Sequence, residues 1–135
     1  MPDLFITQAE FMSACEQHIG QRPNFNSEVE LWERLIGEEY AELRGALRKF
    51  HQSLSADHIV EILHEGCDLL YVLSGLFNSI GVGPVATEAF LRIHAANMAK
   101  VDGSTGIVTR RADGKILKPD AWKPADLRNL VIPRA

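Results

Sequence analysis

The chain has 135 residues, enough to bury a two-layer core and too short for two domains with a linker. Hydrophobic residues make up 46% and charged residues 24%, a globular balance that excludes a disordered tail or a fibrous repeat. Fourteen Lys plus Arg against eighteen Asp plus Glu leave a net charge of −4, which argues against a protein held on a nucleic acid polymer by bulk charge.

The opening MPDLFITQAEF has an acid where a signal peptide wants a basic stretch, so export is not expected. Helix starts follow at Thr7 with Glu10 and at Ser27 with Glu30, the spacing of a capping box. A third start is Ser55 with Asp57 in the first turn, and a fourth is Gly83-Pro84 with Pro at the first helical position. These starts predict helices over roughly 7–19, 28–50, 56–80 and 84–100, joined by short breaks of the kind that connect antiparallel neighbours. Residues 69–87 carry no charge, but Ser74, Asn78, Gly81, Gly83 and Pro84 interrupt them, which reads as a buried helix and a turn, not a membrane span. After Asp102 the texture changes. Ile107-Val108-Thr109 and Ile116-Leu117 flank Asp113-Gly114, a hairpin signal, and a Pro-punctuated arm follows with Trp122 as its one large anchor. The expected organisation is a single domain over 1–135: an all-α, four-helix-bundle-like core at about 4–101, then a short C-terminal β-hairpin and extended arm over 102–135. Cys15 and Cys67 are too few and too far apart for a disulfide framework and fit a reducing compartment.

Charge is distributed unevenly. Residues 28–68 hold ten acids and four bases, whereas residues 92–135 hold nine bases and four acids. On a helical wheel the second helix has an apolar stripe through Trp32, Leu35, Ile36, Leu43, Ala46, Leu47 and Phe50. Glu39 falls inside that stripe, with Glu42 and Glu38 on its edge. In the third helix the stripe runs through Ile59, Ile62, Leu63, Leu69, Leu70, Leu73, Phe77 and Ile80, flanked by Glu61, Glu65 and Asp68. Like charges facing a core must protonate, be paired or hold a cation. An all-oxygen ligand set favours Mg²⁺ or Mn²⁺ over zinc or copper. The competing reading is solvated glutamates paired with Arg34 or Arg44.

Glu38-Glu39-Tyr40-Ala41-Glu42 followed by Glu65-Gly66-Cys67-Asp68 resembles the EExxE…ExxD signature of the all-α nucleoside triphosphate pyrophosphohydrolases, the superfamily of MazG, dimeric dUTPases and phosphoribosyl-ATP pyrophosphohydrolase. His94-Ala95-Ala96-Asn97-Met98-Ala99-Lys100 and Asp113-Gly114-Lys115-Ile116-Leu117-Lys118 resemble the later part of the phosphoribosyl-ATP-pyrophosphohydrolase-like branch. The similarity spans roughly residues 28–127. It implies a MazG-type fold in which Glu38, Glu39, Glu42, Glu65 and Asp68 hold metal and activate water, with sites assembled between subunits. A homodimer or homotetramer (dimer of dimers) is therefore expected, and the two-sided apolar third helix also needs cover.

Asn97 and Lys100 share a helical face and are candidates for sugar or phosphate. Arg110, Arg111, Lys115 and Lys118 on the expected hairpin are candidates to close over a triphosphate. Glu39, with Glu38 beside it, is the expected catalytic pair, Glu39 serving as general base. The activity expected is metal-dependent cleavage of a nucleoside triphosphate to the monophosphate and pyrophosphate. The setting expected is dNTP pool control, with dUTP or a purine dNTP such as dGTP as substrate, in the cytoplasm or, for a phage protein, the host cytoplasm. Alternatives are phosphoribosyl-ATP as substrate, a carboxylate-bridged di-iron bundle using the Glu61…His64 pair, and a helical module that senses nucleotides without turnover.

Overall fold

The computed structural model describes residues 1–25 and 28–132. Its helices are α1 (Leu4–Ala14), α2 (Val29–Gln52), α3 (Ala56–Ser79), α4 (Gly83–Met98) and the single turn α5 (Arg128–Val131). The fold is all-α, as the sequence led us to expect. Two compact units divide it, Met1–Pro84 and Val85–Ala135.

In the first unit α1 begins earlier than its expected start. Asp3 caps it, Oδ1 accepting from the amides of Phe5 at 2.9 Å and Ile6 at 3.2 Å. Thr7 instead lies within the first turn, its hydroxyl donating to the Asp3 carbonyl at 2.9 Å. The helix also ends earlier, because Glu16 takes a left-handed φ of 57° that no helix can continue through. The start expected at Ser27 falls on a residue outside those described. Ser55 caps α3 as expected, its Oγ accepting from the His58 amide at 3.2 Å.

Helices α2 and α3 form an antiparallel hairpin across the link at Ser53, Leu54 and Ser55. Lys49 pairs with Glu61 at 2.6 Å near the turn, and Trp32 lies against Gly75 toward the open end. The core is Met12, Trp32 and Val72, with Ile19, Leu35, Ile36, Leu69 and Leu76 packed around them, so α1 covers the α3 face next to α2. Asn78 ties this end together. Its amide donates to the Phe5 carbonyl at 2.8 Å and to Gln8 Oε1 at 2.9 Å, and its carbonyl accepts from the Gly20 amide at 2.9 Å. Gly81, at a φ of 82°, sits against the Arg22 carbonyl, where a Cβ would stand 2.1 Å from the oxygen.

The α2 stripe matches its expected position, with Trp32 and Ala46 fully buried. The α3 stripe does not. Ile59, Leu63 and Leu70 are exposed, as are Val60 and Tyr71, while Val72, Ser74, Gly75, Asn78 and Ser79 are buried. Gly75 on that face lets the Trp32 ring approach closely; Leu69 and Leu76 still join the core, and Ile59, Leu63 and Leu70 are left on a second apolar face.

In the second unit the expected β-hairpin reduces to one isolated antiparallel bridge between Arg110 and Ile116, and no strand forms among the described residues. Gly114, at a φ of 92°, makes the predicted turn, and Arg111 and Leu117 amides bond across it at 2.8 Å. A lone two-stranded ribbon with no apolar face to bury is marginal, and here Ile107 stays two-thirds exposed. The arm is held to α4 by side chains. Trp122 Nε1 donates to the Ala96 carbonyl at 2.6 Å, and Arg92 reaches Asn129 Oδ1 at 2.6 Å and the Asp126 carbonyl at 3.1 Å.

Candidate active site

The α2–α3 hairpin brings carboxylates together across its seam. One oxygen from each of Glu39, Glu42 and Glu65 lies within 4.8 Å of the others. Glu39 and Glu65 are partly buried, Glu42 is exposed, and Glu39 Oε2 and Glu65 Oε2 are sealed from solvent without a hydrogen-bond donor. A sealed carboxylate oxygen lacking a donor is costly unless it is protonated or meets a cation. Both groups accordingly have raised pKa values: Glu39 through burial and then the charges of Glu42 and Asp68, Glu65 through burial and then Glu42.

Among the described residues no lysine or arginine pairs with these three carboxylates. Arg44, a candidate partner on sequence grounds, donates to Tyr40 Oη at 3.2 Å and lies over the Tyr40 ring. The donor set therefore suits a hard divalent cation, which takes carboxylate oxygens and tolerates no competing ammonium. Asp68 stands close enough to raise the pKa of both Glu39 and Glu65, and its Oδ2 contacts His64 Nε2 at 3.0 Å. Glu38 is exposed and outside the three-carboxylate group.

His64 stands at ExxH spacing from Glu61 in the sequence, yet in the structure it contacts Asp68. Glu61 is taken by Lys49 instead, so the ExxH unit of a di-iron bundle does not form here. A histidine four residues before an acid is a signal of the pair that does form.

In the second unit, Asn97 and Lys100 are brought together, the Lys100 ammonium donating to Asn97 Oδ1 at 2.8 Å. Lys100 and Lys118 both lie over the Trp122 ring, at 5.2 and 4.9 Å from its centroid. Arg111 is engaged by Asp113 through two bonds of 2.8 and 2.5 Å, which raises the Arg111 pKa and lowers that of Asp113. Arg110 and Lys115 are exposed at the bridge.

The raised carboxyl values set a stability signature. In chelator, folded Glu39 and Glu65 bind more protons than unfolded ones from the usual glutamate value of 4.5 upward. Their contribution is complete below that value and is lost as pH rises through the raised values. Thermal unfolding in chelator should therefore show this pair favouring pH 5 over pH 7. Millimolar Mg²⁺ or Mn²⁺ at pH 7 should raise the midpoint by several degrees, since a ligand at a hundred times its Kd adds about 2.7 kcal/mol. A midpoint insensitive to both metals at pH 7 contradicts the cation assignment.

No single helix among the described residues is long and apolar enough to cross a membrane. Comparison with curated proteins gave no match. Residues 9–97 match the phosphoribosyl-ATP pyrophosphohydrolase family, a span that includes all five acids of the EExxE…ExxD pattern and Asn97. The match covers more than half of the chain, so the protein belongs to the phosphoribosyl-ATP pyrophosphohydrolase family, within the MazG-like nucleoside triphosphate pyrophosphohydrolase superfamily, whose members are pyrophosphohydrolases acting on phosphoric anhydrides.

Proposed function

We propose that the protein cleaves a nucleoside triphosphate, in the first instance a deoxynucleotide, to the monophosphate and pyrophosphate, and that it does so with Mg²⁺ or Mn²⁺. The observation that carries this reading is the seam of Glu39, Glu42 and Glu65 with two sealed, donorless oxygens. Asp68 and Glu38 complete the ligand set on the strength of their places in the EExxE…ExxD pattern. When bound, the cation supplies positive charge against the phosphate oxygens and lowers the pKa of water. Glu39 accepts the proton of the attacking water at its carboxylate, burial holding the side chain in one orientation and raising its basicity. The anhydride between the α and β phosphorus atoms breaks, and pyrophosphate leaves.

Lys100 and Lys118, gathered on Trp122, offer the phosphates two ammonium groups. Asn97 orients Lys100, and Arg110 and Lys115 add positive charge nearby in the chain, while Arg111 would have to exchange Asp113 for a phosphate to do the same. The exposed apolar face of α3, through Ile59, Leu63 and Leu70, supports a homodimer or homotetramer. Cys15 and Cys67, both free and exposed, suit the reducing cytoplasm. A second reading, phosphoribosyl-ATP as substrate, is favoured by the family match over residues 9–97.

The deciding assay incubates the protein with Mg²⁺ or Mn²⁺ and a panel of NTPs, dNTPs and phosphoribosyl-ATP, and separates pyrophosphate from orthophosphate. Pyrophosphate is expected from at least one dNTP. Turnover of phosphoribosyl-ATP alone selects the second reading, and orthophosphate as sole product refutes both.

A further inference from the structure

The second unit contains a cleft of about 410 Å³ where the chain leaves α4 and passes through the bridged loop. That volume lies in the range of small-molecule sites, about 300–1,000 Å³. Its walls combine the apolar side chains of Ile107 and Leu117 with the polar groups of Lys100, Asp102, Thr105 and Thr109. A bare phosphate would make no use of the apolar walls, and an aliphatic ligand would leave the polar groups unmatched. A flat heterocycle with a polar edge satisfies both.

Asp102 decides what that edge must be. Its Oδ1 accepts from Ser104 N at 2.8 Å, Ser104 Oγ at 2.7 Å and Thr105 N at 3.1 Å. These bonds fix the turn and lower the Asp102 pKa to about 2, so the carboxylate is ionised and can only accept. Oδ2 takes none of the three. A ligand presenting an N–H₂ to it gains a charge-assisted hydrogen bond, whereas one presenting a carbonyl sets two acceptors against each other. Lys100 lines the same cleft, and its ammonium is held by Asn97 and the Trp122 ring, so the cleft also has a cation at its border.

We infer that this cleft holds the nucleobase of the substrate, and that Asp102 selects bases bearing an exocyclic amino group over counterparts lacking it; this rests on the nucleotide activity proposed above. It favours dCTP over dUTP and dGTP over dITP.

The test uses the full chain and compares kcat/KM within those two pairs for the unaltered protein and for Asp102→Asn. Asparagine keeps the Oδ1 acceptor that the turn needs and replaces Oδ2 by a donor. The unaltered protein should prefer the amino member of at least one pair by about tenfold or more, on the order of one hydrogen bond to a charged group. Asp102→Asn should erase that preference and, for the cytosine–uracil pair, reverse it. Leu117→Trp, which fills the cleft, should raise KM about tenfold for all four nucleotides with kcat little changed. An unchanged midpoint of thermal unfolding establishes that each variant is folded. Equal ratios in the unaltered and Asp102→Asn proteins, or a preference for the oxo base, overturn the inference and leave the pyrophosphohydrolase reading intact. If no dNTP is hydrolysed, that reading falls instead, and calorimetric titration of dCMP and dUMP into the full chain decides the cleft. Tighter dCMP binding that Asp102→Asn abolishes supports it, and no binding of either overturns it.

Discussion

Glu39→Gln should reduce kcat for pyrophosphate release by about 10²- to 10⁴-fold, the range lost when a positioned general base is removed. Glutamine matches glutamate in size and so preserves the α2–α3 seam, but it cannot take a proton from water. The same change should leave the protein folded and, in chelator at pH 7, more heat-stable. It removes one of the charges that Glu42, Glu65 and Asp68 hold against Glu39. Lower activity together with a higher midpoint of unfolding separates a catalytic role from a structural one. Retention of activity within a factor of a few would refute the role assigned to Glu39, and a fall in both quantities would make it a packing residue.

Gly75→Ala should destabilise the fold by about 1–3 kcal/mol, the cost of overpacking a tight core, although alanine ordinarily gains about 1 kcal/mol over glycine in a helix. A Cβ at Gly75 would stand 2.2 Å from Cζ3 and 2.5 Å from Cη2 of Trp32, whose ring is buried and unable to retreat into solvent. Gly45, also helical, provides the control, since an added Cβ there meets only Arg48 Nη2 at 3.9 Å. Gly45→Ala should stabilise or be neutral. Trp32 lies two turns before Glu39, so a displaced ring spreads α2 from α3 and separates the carboxylates. Activity should therefore fall further in Gly75→Ala than its unfolded fraction explains. Denaturant titration beside the kinetic assay measures both, and equal stability of the two variants would contradict the contact.

The acid-bearing helices were legible because strong periodicity and short polar breaks define them. Glu39 within an apolar stripe was visible on the wheel of a single helix, and its partial burial agrees. What a wheel cannot show is which of two apolar faces meets a neighbour. The α3 stripe follows from the spacing of apolar residues, yet the contact is decided by the Trp32 ring, which needs Gly75 beneath it. The hairpin signal at Asp113-Gly114 encoded the turn correctly, but a ladder requires a surface to cover, and no local signal reports its absence. Likewise Lys49 captured Glu61 across the α2–α3 link, leaving His64 to Asp68, a choice settled by register between helices.

The short link between α2 and α3 also bears on how the protein folds. Glu39, Glu42 and Glu65 belong to one αα-hairpin, so they meet at a small loop-closure cost and through contacts local in sequence. Their mutual repulsion needs only that hairpin to be closed, and not α1, which is secured separately through Asn78. A divalent cation bound there would relieve it within the hairpin alone, so the ion would serve the chain's assembly as well as its chemistry wherever the hairpin closes first.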